Sequence, residues 1–209
     1  MTLTVHFADN GASVMEAVKA MANSANGVWS RFRWVMWGGA AFLLLLPLIA
    51  MQFTAEVDWD ETDFIVMGAM LATACGIVEL AIRASGEAAY RLGAIVAVGT
   101  GFLLVWINLA VGIIGSEDNP INFIYFAVLA LAVVGSVIAG FDAAGLARAL
   151  FATSAAQLAV TIVALVAGLG RWEPPGAVGI LALNAFFAAL WLLSGGLFRR
   201  SALKRAARA

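Results

Sequence analysis

Several residue types that membrane enzymes and cofactor proteins depend on are scarce in this chain. It has one histidine, His6, one cysteine, Cys75, and no lysine inside any long apolar run. A bis-histidine haem, a histidine-rich metal site, an intramolecular disulfide and a retinal Schiff base are therefore excluded. No nucleophile elbow, HExxH, Walker or dinucleotide-binding motif occurs in a supporting context. We expect a protein that is not an enzyme and that holds no cofactor.

Charge is scarce as well. Charged residues make up 12% of the 209 residues, hydrophobic residues make up 63%, and the mean hydropathy is +0.96. Soluble domains are about one quarter charged, so this composition indicates a chain whose solvent is lipid. A helix needs about 20 apolar residues to cross a bilayer. Six segments meet that requirement: 34–53, 63–84, 91–115, 120–141, 146–169 and 176–198. The predicted fold is an all-α integral membrane protein with six transmembrane helices in one bundle, residues 34–198.

The distribution of charge orients the six predicted spans. With both termini in the cytoplasm, every lysine and arginine except Arg171 falls on the cytoplasmic side, as the positive-inside rule favours. Acidic residues crowd the first external loop, between positions 56 and 63. Arginine outnumbers lysine, and the spans are rich in alanine and glycine, which is typical of a high-GC bacterium. We predict a multi-pass protein of the bacterial cytoplasmic, or inner, membrane.

Two short segments flank the spans. Residues 1–33 are predicted to contain a short amphipathic interfacial helix, because apolar residues recur every three or four positions from Val14 to Val28. Residues 199–209 form a basic cytoplasmic tail that suits anionic lipid but that also serves simply to orient the last span. The expected partners are the bilayer, anionic lipid at this tail, and a second copy or another membrane protein, with no nucleic acid.

Uncharged polar side chains within three of the spans share one depth. They are Asn108, Gln157, Thr161 and Asn184. Each lies about two to three turns from the external end of its span. Amides in hydrocarbon need partners, so these side chains are expected to face one another inside the bundle. They form either an interhelical lock or the floor of an external cavity, with Trp106 and Tyr125 as the nearest useful neighbours in sequence.

One acidic residue lies well inside a span. Glu79 precedes Arg83 by one helical turn, in the order that favours an ion pair. Ionisable residues at membrane depth are candidates for function, so the pair is a possible proton or ion site. The alternative is an intrahelical pair whose arginine extends to the membrane interface.

The stretch between spans three and four predicts a tight external turn. Gly115 suits the left-handed position after a helix, and Glu117 and Asp118 form the turn. Asn119 is a natural N-cap, and Pro120 suits the first helical position.

Glycines along span three predict that this span is central. Gly99, Gly101, Gly112 and Gly115 would let neighbouring helices approach closely. The same surfaces would also serve a homodimer or a partner protein.

Three functions from different classes follow. The leading one is a protein that binds or transports a small solute or ion through the external polar site. The alternative is a non-catalytic membrane subunit or scaffold that packs through Gly/Ala-rich helix faces. An enzyme acting on a lipid, with Glu117 and Asp118 as metal ligands or bases, is the weakest because no histidine or cysteine supports those acids.

Overall fold

The predicted spans are present as helices in a computed structural model of the protein. It describes residues 3–170 and 174–208, and for residues 3–13 and 17–26 it describes the backbone alone. The helices are α1 (Leu3–Ala50), α2 (Glu61–Ala84), α3 (Ala88–Ala110), a 3-10 turn (Pro120–Phe123), α4 (Ile124–Ile138), α5 (Ala143–Val166) and α6 (Gly176–Ala206).

Six of these helical segments, all within the described ranges, are long and apolar enough to cross a membrane. No strand occurs in those ranges. The prediction of an all-α multi-pass membrane protein with six spanning helices is confirmed. Arg171, which was the exception to the charge rule, lies outside the described residues.

The N-terminal segment differs from the expectation of a separate interfacial helix. One continuous helix, α1, covers both that segment and span one, with no break between them. The helix passes through Gly27, and the stretch that follows, "VWSRFRW", contains neither glycine nor proline to interrupt it. The side chains of Val14 and Val28, which begin and end the predicted apolar stripe, are both exposed.

The chain divides into two compact units, residues 1–75 and residues 76–209. In unit one, α1 packs against the first part of α2, where a Cβ built on Gly68 would lie 3.7 Å from Leu44 Cδ2. The start of α2 is closed by a reciprocal pair of hydrogen bonds. Asp63 N donates to Asp60 Oδ1 and Asp60 N donates to Asp63 Oδ2, each at 3.0 Å. This arrangement satisfies two free N–H groups at the helix start, as a capping box does.

Unit two contains the end of α2 and the helices α3 to α6, among which α5 and α6 pack most extensively. α6 packs against both α3 and α5, and α5 in turn packs against α4. The backbone of α6 approaches α5 closely at Gly195, where a Cβ would lie 2.7 Å from the Phe151 ring. Within unit two, α3 packs chiefly against α6, so it does not hold the central position predicted for span three there. Gly112 lies beyond the end of α3, and Gly99 faces open space, so neither serves helix packing.

The last helix continues through most of the segment predicted as a basic tail. α6 ends at Ala206 rather than at residue 198, and its last turns reach the turn between α2 and α3. Lys204 Nζ lies 2.8 Å from Glu87 Oε1, and the Arg205 guanidinium lies 5.8 Å above the centre of the Tyr90 ring. The hydrogen bond from Lys204 lowers the pKa of Glu87. These two basic side chains therefore hold the protein together at this end.

Candidate functional site

A buried cluster of hydrogen-bonded side chains joins α4, α5 and α6. Gln157 Nε2 donates to Asn184 Oδ1 at 2.7 Å, and Asn184 Nδ2 donates to the Tyr125 hydroxyl at 3.0 Å. The exposed fraction of each of the three residues is 1% or less. We call Tyr125, Gln157 and Asn184 the polar cluster. Two of the amides singled out in the sequence and the tyrosine thus meet inside unit two.

Asn184 is the centre of the polar cluster. Its amide nitrogen donates a second hydrogen bond, at 2.8 Å, to the Ile180 carbonyl one turn earlier in α6. Both amide hydrogens and the amide oxygen of Asn184 are therefore used. An amide whose hydrogen-bonding groups are all satisfied is stable in an apolar interior. Its hydrogen bonds to α4 and α5 also fix the rotation of the three helices about their axes.

Asn108 lies at the level of the polar cluster, on α3. A Cβ built on Gly101 would lie 3.9 Å from the Trp191 ring, which places these two positions at one level of the antiparallel pair α3 and α6. Asn108 follows Gly101 by seven residues, and Asn184 precedes Trp191 by seven residues. Because both steps are two helical turns in the same direction, Asn108 and Asn184 share a level within about one turn.

Two amide oxygens at this level are buried without a hydrogen-bond partner among the described residues. They are Asn108 Oδ1 and Gln157 Oε1. The Asn108 nitrogen donates to the Leu104 carbonyl of its own helix at 2.7 Å. An unpaired buried carbonyl costs about 1–3 kcal/mol, and hydrocarbon offers it no water. Each of the two oxygens can accept a hydrogen bond from an N–H or O–H group.

Thr161 is bonded within its own helix, and Trp106 lies on a different face of α3 from Asn108. The Thr161 hydroxyl donates to the Gln157 carbonyl at 2.9 Å, so it is used within α5 itself. Trp106 is partly exposed. It precedes Asn108 by two residues, and residues two apart do not share a helix face. Its proximity in sequence therefore does not bring it to the amide.

Glu79 and Arg83 form an ion pair along α2. Arg83 Nη2 and Nε lie 2.6 and 3.2 Å from Glu79 Oε1. The exposed fraction of the Arg83 side chain is 65%, whereas that of Glu79 is 13%. The carboxylate is thus neutralised by an arginine that extends away from the interior, which matches the arrangement of an intrahelical pair.

The turn after α3 begins earlier than the sequence suggested. α3 ends at Ala110, and Gly112, with φ of +72°, donates its N–H to the Ile107 carbonyl at 3.0 Å. The predicted end at Gly115 is wrong by about one turn, because Gly112 already supplies the left-handed residue that ends a helix. Gly115 also has positive φ, at +69°, but within the loop.

The far side of this turn has the expected cap. Asn119 Oδ1 accepts from Ile121 N at 3.1 Å, and Pro120 begins the 3-10 turn. Glu117 and Asp118 are exposed. They are accessible to solvent and do not belong to the polar cluster.

Asn122 is a structural residue that the sequence reasoning missed. Its Oδ1 accepts from Ile113 N and Ile114 N, at 3.2 and 2.9 Å, and its Nδ2 donates to Ser116 O at 2.8 Å. It is 4% exposed. The loop at residues 111–116 could have pointed to Asn122. Buried backbone groups outside a regular helix need hydrogen-bond partners, and a nearby side-chain amide can supply them.

Within the described ranges, no group of three or more His, Cys, Asp or Glu side chains is placed to hold a metal ion. Comparisons with protein families, with curated proteins and with solved structures found no match to this chain.

Proposed function

We propose that this multi-pass membrane protein binds or transports a small solute through the polar cluster and Asn108, and that it is not an enzyme. The observation that supports this most is the pair of buried amide oxygens, Asn108 Oδ1 and Gln157 Oε1, which lack a donor among the described residues. If the polar side chains served only to hold the helices together, the hydrogen bonds of Asn184 would be sufficient. Two further acceptors at the same level are what a hydrogen-bonding solute would use.

The chemistry of these residues favours a neutral solute over an ion. Amide and hydroxyl groups make up the polar cluster, and none of its three side chains is ionised at neutral pH. A cation bound there would have no counter-charge. Its loss of hydration free energy would exceed the free energy gained from coordination by two amide oxygens. Small molecules with several N–H or O–H groups, such as urea, formamide or glycerol, can donate to an amide oxygen without that penalty.

Flux into proteoliposomes tests the proposal. Urea, formamide and glycerol are followed separately by light scattering, with protein-free liposomes as the baseline. Asn108→Leu removes one acceptor and keeps every bond between helices, so we expect flux of the recognised solute to fall about fivefold, the equivalent of one hydrogen bond. Thr161→Val is the matched control, because among the described residues the Thr161 hydroxyl bonds to its own helix alone.

The outcomes separate the proposal from its alternative. Flux above baseline that Asn108→Leu lowers and Thr161→Val does not would support transport through this site. Flux equal to that of protein-free liposomes for all three solutes, together with no solute-dependent rise in thermal stability, would overturn it.

A second candidate function is a non-catalytic membrane subunit that packs against partner proteins. The observation that favours it is the use of polar groups as ties between helices. Ser154 Oγ donates to the Ala188 carbonyl at 2.9 Å, and Ser194 Oγ donates to the Gly93 carbonyl at 2.7 Å. Such ties make a rigid bundle suited to a structural role.

The charge distribution supports a further part of the proposal, the location of the chain in a bacterial cytoplasmic membrane with both termini inside. Reporter enzymes fused after Glu56 and after Ala209 test it. An enzyme that is active only in the periplasm should be active after Glu56 and inactive at the C-terminus. The reverse pattern would contradict the orientation.

A further inference from the structure

A groove lies between α5 and α6, at the end of unit two where α5 begins and α6 ends. It has a volume of about 450 Å³, and its walls are almost entirely apolar. Ala147 and Phe151 line it from α5, and Ala202 and Leu203 line it from α6. Leu203 is exposed, so this wall is open to the surroundings of the helices.

Two arginines belong to the lining of this apolar groove. They are Arg148 on α5 and Arg199 on α6. The helices are in register here, because a Cβ built on Gly195 would lie 3.3 Å from the Ala147 carbonyl oxygen. Arg148 directly follows Ala147, and Arg199 follows Gly195 by one turn. Because α5 and α6 are antiparallel, these two steps add up, and the two arginine backbones lie roughly 7.5 Å apart along the helix axes. Their side chains line the same groove from opposite walls.

Neither arginine is neutralised by the protein. Both are exposed, and among the residues that the structure describes neither forms a salt bridge with a carboxylate. The neighbouring cations differ, since Lys204 binds Glu87 and Arg205 Nη2 donates to Ser85 Oγ at 3.3 Å. Among the described residues, the positive charge of the groove is thus uncompensated, whereas Lys204 is paired with Glu87.

We propose that this groove binds one anionic phospholipid, with the phosphate between Arg148 and Arg199 and an acyl chain along the apolar wall. Charge complementarity identifies the occupant. Two arginines on opposite walls of one groove match a phosphate, to which guanidinium groups donate paired hydrogen bonds. The apolar wall between two membrane-spanning helices matches a hydrocarbon chain, and basic pockets between such helices are known lipid sites. The lipid site is therefore a groove between two helices, and it extends the expectation of anionic lipid at the basic tail, residues 199–209.

Native mass spectrometry of the full-length protein released from nanodiscs tests the proposal. The nanodiscs contain phosphatidylcholine with a minor fraction of phosphatidylglycerol, and the readout is phosphatidylglycerol retained per protein. Each arginine near an anionic lipid contributes about fivefold in affinity. The double variant Arg148→Gln/Arg199→Gln should therefore retain phosphatidylglycerol about 25-fold more weakly. The matched control Arg200→Gln/Arg208→Gln removes the same charge outside the groove and should bind as the unmodified protein does.

A second variant separates the groove from simple surface charge. Ala144 lines the groove and is exposed, so Ala144→Trp fills the apolar part while both arginines remain. It should lower phosphatidylglycerol retention, and glycerol phosphate, the headgroup without chains, should not compete. Equal loss in the Arg200→Gln/Arg208→Gln control, full retention in either groove variant, or competition by glycerol phosphate would each overturn the proposal.

Discussion

Replacing Asn108 with leucine removes one unpaired amide oxygen and breaks no described hydrogen bond between helices. The Asn108 nitrogen donates only to the Leu104 carbonyl of α3, and its Oδ1 is buried without a partner among the described residues. Leucine has the same branched shape. The substitution therefore removes an intrahelical hydrogen bond and an uncompensated acceptor, and it leaves the polar cluster intact.

The two effects oppose each other, and their sizes predict the sign. A side-chain hydrogen bond inside a membrane bundle contributes about 0.6 kcal/mol. An unpaired buried carbonyl costs about 1–3 kcal/mol. Asn108→Leu should thus raise the free energy of unfolding by about 1–2 kcal/mol in detergent without added solute.

Equilibrium denaturation followed by tryptophan fluorescence measures this change, since Trp191 is buried in the core of unit two. Thr161→Val is the control, because it removes one intrahelical bond and relieves no unpaired acceptor, so it should be neutral or slightly destabilising. If Asn108→Leu lowers the free energy of unfolding by 1 kcal/mol or more, the reasoning is refuted, because Asn108 Oδ1 then has a favourable partner in the folded protein.

Three other predictions concern the packing and the helix ends. Asn184→Leu should destabilise the protein by about 2–4 kcal/mol in the same assay, since it removes the centre of the polar cluster and leaves its partners unpaired. Gly195→Ala should cost about 1–3 kcal/mol, because the added Cβ meets the α5 side chain at 2.7 Å, whereas Gly196→Ala, with no atom within 4 Å, should stabilise by about 0.5–1 kcal/mol. The lowered pKa of Glu87 means that its bond with Lys204 contributes fully above the ordinary pKa of 4.5 and is lost as pH falls through the lower folded value. Unfolding midpoints from about pH 7 to about pH 3 should show this acid-dependent loss, and Lys204→Met should remove it.

Each of these predictions has an outcome that contradicts it. A mild effect of Asn184→Leu, below about 0.5 kcal/mol, would mean that water replaces the lost bonds. Equal effects of Gly195→Ala and Gly196→Ala would mean that α5 and α6 are not in close contact there. An acid-dependent loss that persists in Lys204→Met would assign the titration to another carboxylate.

The number of spans and their approximate positions could be read from the sequence because both depend on one segment at a time. A bilayer core sets a length of about 20 apolar residues, and each of the six runs satisfies it without reference to the others. The cap at Asn119 and the start at Pro120 are equally local, since they involve backbone groups within three residues. The end of α3 was misplaced because two glycines three residues apart both suit a left-handed position.

The contacts between helices could be anticipated only in part. A shared depth for Asn108, Gln157 and Asn184 follows from counting residues along each span. Which of these amides meet depends on how far each helix is rotated about its axis, and hydropathy is nearly uniform around these helices. Gln157 and Asn184 face each other, whereas Asn108 bonds to its own helix.

By itself, the sequence determined that this chain is a six-span, all-α membrane protein, because apolar length measured against bilayer thickness is a property of each segment alone. The tertiary structure decided the rest. Close approaches at positions such as Gly195 set the level and rotation of α5 and α6. Those settings bring the amides of the polar cluster together and place Arg148 and Arg199 in one groove. Such pairings join residues that are distant in sequence, so no local pattern encodes them.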